Sequence, residues 1–187
     1  NVTFDNLTDT DKWILTKLNK TIKDVTKSME KYDFNIVGNT LYNFIWTDFC
    51  DKYIELSKFN MNDTTKNVLL KVLTDIIKML HPFMPYVTEE IYSMLPGDKS
   101  ESIMISKYPV YSKKEVFTES ENKIDLALEF ITMVRNKKAE LGIGSEYNVI
   151  LDINDISLKT IINKSLKLEV KEINGEIPTN YTKEFIK

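Results

Sequence analysis

A mainly α fold, a bundle of about five helices followed by a small α/β appendage, is predicted by three observations on this sequence. Apolar residues recur at spacings of three and four through five separate stretches. The connections between those stretches are short and rich in Pro, Gly, Asn and Asp. After "GIGSE" the helical period gives way to alternation. The predicted division is therefore residues 1–144 for the helical domain and 145–187 for the appendage.

The first helix spans 9–31, with Ile14, Leu18, Ile22, Val25 and Met29 on one stripe. Thr8, three residues before Asp11, gives it a capping-box start. The second runs from Asp33 to residue 57. Val37, Leu41, Phe44, Ile45 and Phe49 line one side, and Tyr42, Trp46, Cys50 and Tyr53 widen the stripe. A helix apolar on most sides is expected between neighbours rather than on a surface. The third, 63–80, carries Val68, Leu69, Val72, Leu73, Ile76, Ile77 and Leu80, and Pro82 ends it. Pro85 suits the first turn of a fourth helix, about 85–95, with Val87, Ile91 and Leu95 inward. The segment "LHPFMPYVTEEIY" thus reads as helix, tight corner, helix. Residues 98–118 are irregular, with "SIMISKYP" as a short extended strap. The fifth helix, about 119–141, has Ile124, Ala127, Leu128, Ile131, Val134 and Leu141 on one face and stops at Gly142. In the appendage, 147–153 and 166–173 read as strands and 155–165 as a short helix. Asn174-Gly175 is a hairpin signal.

Composition narrows the function classes. Hydrophobic residues make up 42%, enough for a core, and five prolines and five glycines argue against disorder. No apolar run approaches the roughly 20 residues needed to span a bilayer. The start, "NVTFDNLTDTDKW", has neither an initiator methionine nor a signal-like stretch, so a cytoplasmic piece of something longer is expected. Cys50 is the only cysteine, which excludes an internal disulfide and a multi-cysteine metal site. A net charge of −3 does not announce a nucleic-acid binder. Arg135 is the sole arginine among 25 basic residues, and the abundance of Lys, Asn and Ile fits A/T-biased codons.

No phosphate-binding glycine loop, paired-histidine metal spacing or nucleophile elbow is present. Glu89 and Glu90 point about 100° apart on a helix and fit the first turn as dipole partners. His81, at a helix end ahead of proline, fits a carbonyl-capping role better than a catalytic one. Cys50 reads as a small buried hydrophobe, and Trp13 and Trp46 as core. On the first helix Lys12, Lys20, Lys23 and Lys27 lie off the apolar stripe and Lys17 borders it, as on an ordinary solvated face. "MVRNKKAELGI" is sharper. Arg135, Lys137 and Lys138 suit the negative end of a helix, and equally suit phosphate or base edges.

The run "DKWILTKLN", the block "LYNFIWTDFCDKYIELSK", then "LHPFMPYVTEEIY", "SIMISKYP" and "VRNKKAELGI" together resemble the C-terminal part of the valyl-tRNA synthetases, which are class I aminoacyl-tRNA synthetases. The likeness covers about residues 5–145. "HPFMPYVTEEIY" resembles the isoleucine and leucine enzymes too, whereas "FIWTDFCDKYIELSK" and "RNKKAELGI" resemble the valine type. The resemblance implies a helical anticodon-binding domain with tRNA(Val) as partner. Lys12, Lys17, Lys20, Arg135, Lys137 and Lys138 are then the candidate tRNA-binding residues. It implies no catalytic residue, metal or cofactor in this segment. The full-length ligase would use ATP and Mg²⁺ to attach valine, with catalytic, threonine-editing and coiled-coil domains elsewhere in a monomeric chain. No H-I-G-H-like or K-M-S-K-S-like motif occurs here. The same domain of an isoleucine-type enzyme, and a non-catalytic helical RNA-binding or interaction module, remain the alternatives.

Overall fold

The computed structural model describes residues 6–97, 99–142 and 155–167, and every regular element among them is helical. Contacts divide the chain into two compact units, Asn1–Glu121 and Asn122–Lys187.

In the first unit the hub is α1, Asp9–Glu30. Thr8 holds extended backbone before it and accepts from the Asp11 N–H at 3.1 Å. Asp11 Oδ2 accepts from the Thr8 N–H at 3.1 Å, which completes the capping box. Ile14, Leu18, Ile22 and Val25 are buried as their spacing predicts, and Met29 is half-buried. Trp13, Leu15, Thr16 and Asn19 are buried as well, so α1 is covered on more than one side. It packs against α2 (Phe34–Asn43), a π-helical stretch (Phe44–Tyr53), α3 (Ile54–Ser57) and α4 (Asp63–Leu80).

The second predicted helix is a continuous helical run, but its middle is π-helical, and this corrects the side-chain assignment. Val37, Leu41 and Phe44 are buried at α spacing. Phe44 and Phe49, five apart, are buried together because a π turn stacks i on i+5. Tyr42 and Trp46 are exposed, Trp46 at 55%, so this helix is not enclosed and Trp46 is not core. The enclosed helix is α1.

A polar knot locks the hub. Asp11 is fully buried, and Tyr53 Oη donates to its Oδ1 at 2.6 Å. Thr65 Oγ1 donates to Oδ2 at 3.1 Å and Thr8 Oγ1 at 2.7 Å. Burial first, then the charge of Asp11 and the hydrogen bond to it, push the Tyr53 phenol well above its ordinary value. The phenol stays a donor at any working pH.

The corner forms as predicted. Asn62 caps α4 by accepting from the Thr65 N–H at 2.8 Å. Pro85 opens α5, Pro85–Met94. On α5 the inward positions are Thr88 and Tyr92, with Ile91 and Leu95 partly buried against the Ile77–Tyr92–Ile103 cluster. Val87, expected inward, is exposed. Residues 102–109 are not a plain extended strap, since Ile103–Ile105 makes a 3-10 turn. Glu89 holds that turn by accepting from Ser102 Oγ at 2.8 Å and from the Ile103 N–H at 3.3 Å.

Buried polar groups of α1 fasten the following segment. Asn19 Nδ2 donates to the Ser112 carbonyl at 2.6 Å, and the Ser112 N–H donates to Asn19 Oδ1 at 2.8 Å. The Phe117 N–H donates to Thr16 Oγ1 at 2.9 Å. Asn19→Ala strands both Ser112 groups and is expected to destabilise the unit by about 2 kcal/mol. Urea unfolding with an unchanged m-value checks this, together with faster hydrogen exchange at the Ser112 amide.

The helix α6 (Thr118–Leu141) has its first four residues in the first unit and the rest in the second, where it buries Ile124, Ala127, Ile131 and Val134 and ends at Gly142. That residue has φ +62°, the left-handed stop its glycine predicts. The short appendage helix is α7, Ile156–Leu166. Asp155 caps it by accepting from Ser157 and Leu158 N–H groups at 2.9 and 3.2 Å, and pairs with Lys123 of α6 at 2.6 Å. The Lys123 hydrogen bond, followed by these backbone bonds, holds the Asp155 carboxyl below its ordinary value. The strand expected to begin at Leu166 does not begin there. Leu166 is the last helical residue, and Lys167 takes a left-handed cap at φ +55°. The other predicted strand residues, 147–153 and 168–173, and the Asn174-Gly175 hairpin lie outside the described residues.

Candidate nucleic-acid interface

The predicted tRNA-binding residues fall in both units. Lys12, Lys17 and Lys20 belong to the first. Lys20 Nζ sits 2.7 and 2.6 Å from the two oxygens of Glu121, and Lys17 Nζ lies 3.4 Å from one of them. Glu121 is only 5% exposed, so these two ammonium groups balance a buried carboxylate. Lys17 also lies over the Trp13 ring at 5.8 Å. Lys12 is half-buried one turn earlier. Arg135, Lys137 and Lys138 belong to the second unit. Arg135 is exposed and donates to the Ser165 carbonyl of α7 at 3.2 Å. Lys137 pairs with Glu140 at 2.8 Å, and Lys138 is also engaged. The structure therefore gives Lys17, Lys20 and Arg135 a holding role in the protein itself.

The residues read as structural stay so, with different partners. His81 Nδ1 lies 2.7 Å from Thr88 Oγ1, whose hydroxyl donates to the Met84 carbonyl at 2.8 Å. The ring and the Thr88 hydroxyl share a hydrogen bond that pins the corner, rather than the ring capping a carbonyl. Burial first, and the Asp51 charge second, push the Cys50 thiol up, away from nucleophilic chemistry. Trp13 is core.

Sequence reasoning missed an exposed aromatic group in the first unit. Tyr32 (79% exposed) and Phe34 (49%) flank the α1–α2 turn, and Phe83 (42%) sits in the α4–α5 corner. Their rings meet edge to face. Tyr32 and Phe34 have centroids 6.2 Å apart at 83°, and Phe34 and Phe83 are 6.2 Å apart at 75°. Tyr32 is held at φ +62°, a left-handed conformation that an aromatic residue rarely takes. Tyr42 and Trp46 form a second exposed pair, 6.2 Å apart. The signal for the first group was in the sequence. Tyr32 and Phe83 stand in turns, where no helical stripe can draw them into a core.

Exposed rings on a helical frame suit the recognition of flat groups. Residues 11–154 match the family model described as the anticodon-binding domain of tRNA ligase. The chain belongs to that family. Curated relatives of this anticodon-binding domain are valine–tRNA ligases. The Thermotoga maritima protein is 38% identical over 193 residues, covering 97% of this chain and 22% of that protein. The Listeria monocytogenes protein is 40% identical over 185 residues, covering 94% and 21%. The Staphylococcus aureus protein is 39% identical over 178 residues, covering 90% and 20%. The chain spans about a fifth of the length of these relatives. Among the described residues of the domain, no helix is long and apolar enough to cross a membrane.

Proposed function

We propose that this chain is the anticodon-reading part of a cytoplasmic, monomeric valine–tRNA ligase, and that it grips the anticodon arm of tRNA(Val). Residues 1–144 are the anticodon-binding domain and 145–187 a small α/β appendage. The observation that carries the reading is the family match over 11–154, joined by valine-type relatives that cover 90–97% of the chain. The geometry supports it. Anticodon bases are unstacked, and proteins read such bases by stacking on aromatic faces and by edge hydrogen bonds. Tyr32, Phe34 and Phe83 present such rings at the α1–α2 turn and the α4–α5 corner.

Lys12, Lys17, Lys20, Arg135, Lys137 and Lys138 set register on phosphates. Lys17 and Lys20 also balance Glu121, so their pull on RNA is weaker than that of an unpaired lysine. Other parts of the longer protein activate valine with ATP and Mg²⁺, transfer it to the tRNA and remove mischarged threonine. Binding at the anticodon positions the distant acceptor end for that chemistry.

Arg135→Ala is expected to lower affinity for tRNA about fivefold with helical content unchanged, because the one bond it gives up, to the Ser165 carbonyl, is exposed. Filter binding at low salt beside circular dichroism checks this. Equal affinities for variant and wild type would remove Arg135 from the interface.

A further inference from the structure

A cleft of about 530 Å³ opens in the first unit between α4, the end of α5 and the segment after it. Three lysines line it, Lys78, Lys99 and Lys107, with the hydroxyls of Thr74, Ser100 and Ser106, and none of its described lining residues is acidic. The three lysines differ in what they do. Lys99 Nζ donates to the carbonyls of Tyr92, Ser93 and Leu95 at 2.5–2.6 Å and lies 5.5 Å from the centre of the Tyr92 ring. It closes the C-terminal end of α5 and neutralises carbonyls that would repel an anion. Among the described residues, Lys78 and Lys107 have no hydrogen-bond or ion-pair partner. Lys78 stands in the last turn of α4, where the helix dipole favours it, but Lys107 has no helix end to serve.

Two lysines lining one concavity favour an anion held there. The cleft is of a size that takes a nucleotide-scale group rather than a lone ion. We propose that it is a phosphate-binding site that holds a backbone phosphodiester of the bound RNA, with Lys78 and Lys107 supplying the charge and Ser100 a hydroxyl donor. The assignment rests on the RNA-binding reading above, and it differs from that reading in placing a phosphate contact on residues outside the predicted set.

The test measures tRNA binding by the full 187-residue chain across a salt series, for wild type and for the double variant Lys78→Gln, Lys107→Gln. Affinity at low salt is expected to fall about tenfold, and the slope of log K against log salt by about 1.4, at about 0.7 per lost contact to single-stranded RNA. Thermal stability should change little, since neither lysine has a partner among the described residues and Lys78 gives up only its favourable place at the helix end. A variant that matches wild type in affinity and slope overturns the assignment while leaving the RNA reading intact. Wild type that binds no tRNA at low salt overturns both. A second arm titrates inorganic phosphate at constant ionic strength and follows amide shifts of Ser106 and Lys107. Saturable shifts that vanish in the double variant, beside unchanged tRNA binding, keep the phosphate chemistry but overturn the RNA backbone as its source.

Discussion

Asp11→Ala is expected to destabilise the first unit by about 4 kcal/mol, the largest effect of any single substitution considered. The carboxylate lies fully buried and accepts from the Thr8 N–H, the Thr8 hydroxyl, the Thr65 hydroxyl and the Tyr53 phenol. Removing it strands those donors in the interior and also breaks the capping box of α1. Tyr53→Phe keeps the ring in its slot and removes one donor, so a smaller loss of about 2 kcal/mol is expected. Because the two groups share one bond, the double variant should cost less than the two singles together. Thermal melts check the order, with a drop of about 10 °C for Asp11→Ala in a chain of this size. A melt of Asp11→Ala within a degree or two of wild type would mean that the knot contributes nothing.

Phe34→Leu with Phe83→Leu should act on binding and spare the fold. Both rings are about half exposed, and leucine keeps most of the apolar volume, so a stability loss under about 1.5 kcal/mol is expected. Losing the π faces should weaken tRNA binding by about 2 kcal/mol, about 30-fold, the order measured for stacked bases. Tyr32→Gly separates the two effects further. Glycine takes φ +62° without strain, which should stabilise the α1–α2 turn by about 1 kcal/mol, while the lost ring weakens RNA binding. The left-handed backbone belongs to the stop of α1, where the Tyr32 and Asp33 N–H groups donate to the Met29 and Ser28 carbonyls, and glycine keeps it. Unfolding curves and tRNA titrations on the same preparations check both signs. A Tyr32→Gly chain that gains stability and binds as wild type would clear the ring of any role.

How much of this was legible in the sequence depends on what each residue does. The helix ends were written locally: Thr8 and Asp11, Asn62, Pro85 and Gly142 each stop or start a helix where their own chemistry requires. The apolar stripes of α1 and α4 followed the 3.6 period. The π stretch did not, because its i+5 stacking appears only when the helix has neighbours to widen against. A 3.6-period wheel therefore placed Trp46 and Tyr42 inward when both face out. Thr16 and Asn19 are buried, and nothing local in the sequence marks them so. Their burial depends on partners 101 and 93 residues away. The same distance blindness made Lys17 and Lys20 look free, since Glu121 arrives only on folding. The family resemblance, carried by contiguous runs, needed no tertiary information.

The central claim is that this surface reads an anticodon loop, and competition binding tests it most directly. The chain holds labelled tRNA(Val) at low salt while two unlabelled RNA hairpins compete. One carries the anticodon arm with its valine anticodon, and the other has the same stem with the anticodon bases replaced. The account predicts that the first hairpin displaces the tRNA completely, and that the second requires at least about tenfold more, since the bases rather than the stem carry the readout. Equal competition by the two hairpins, or no displacement by either, would contradict it.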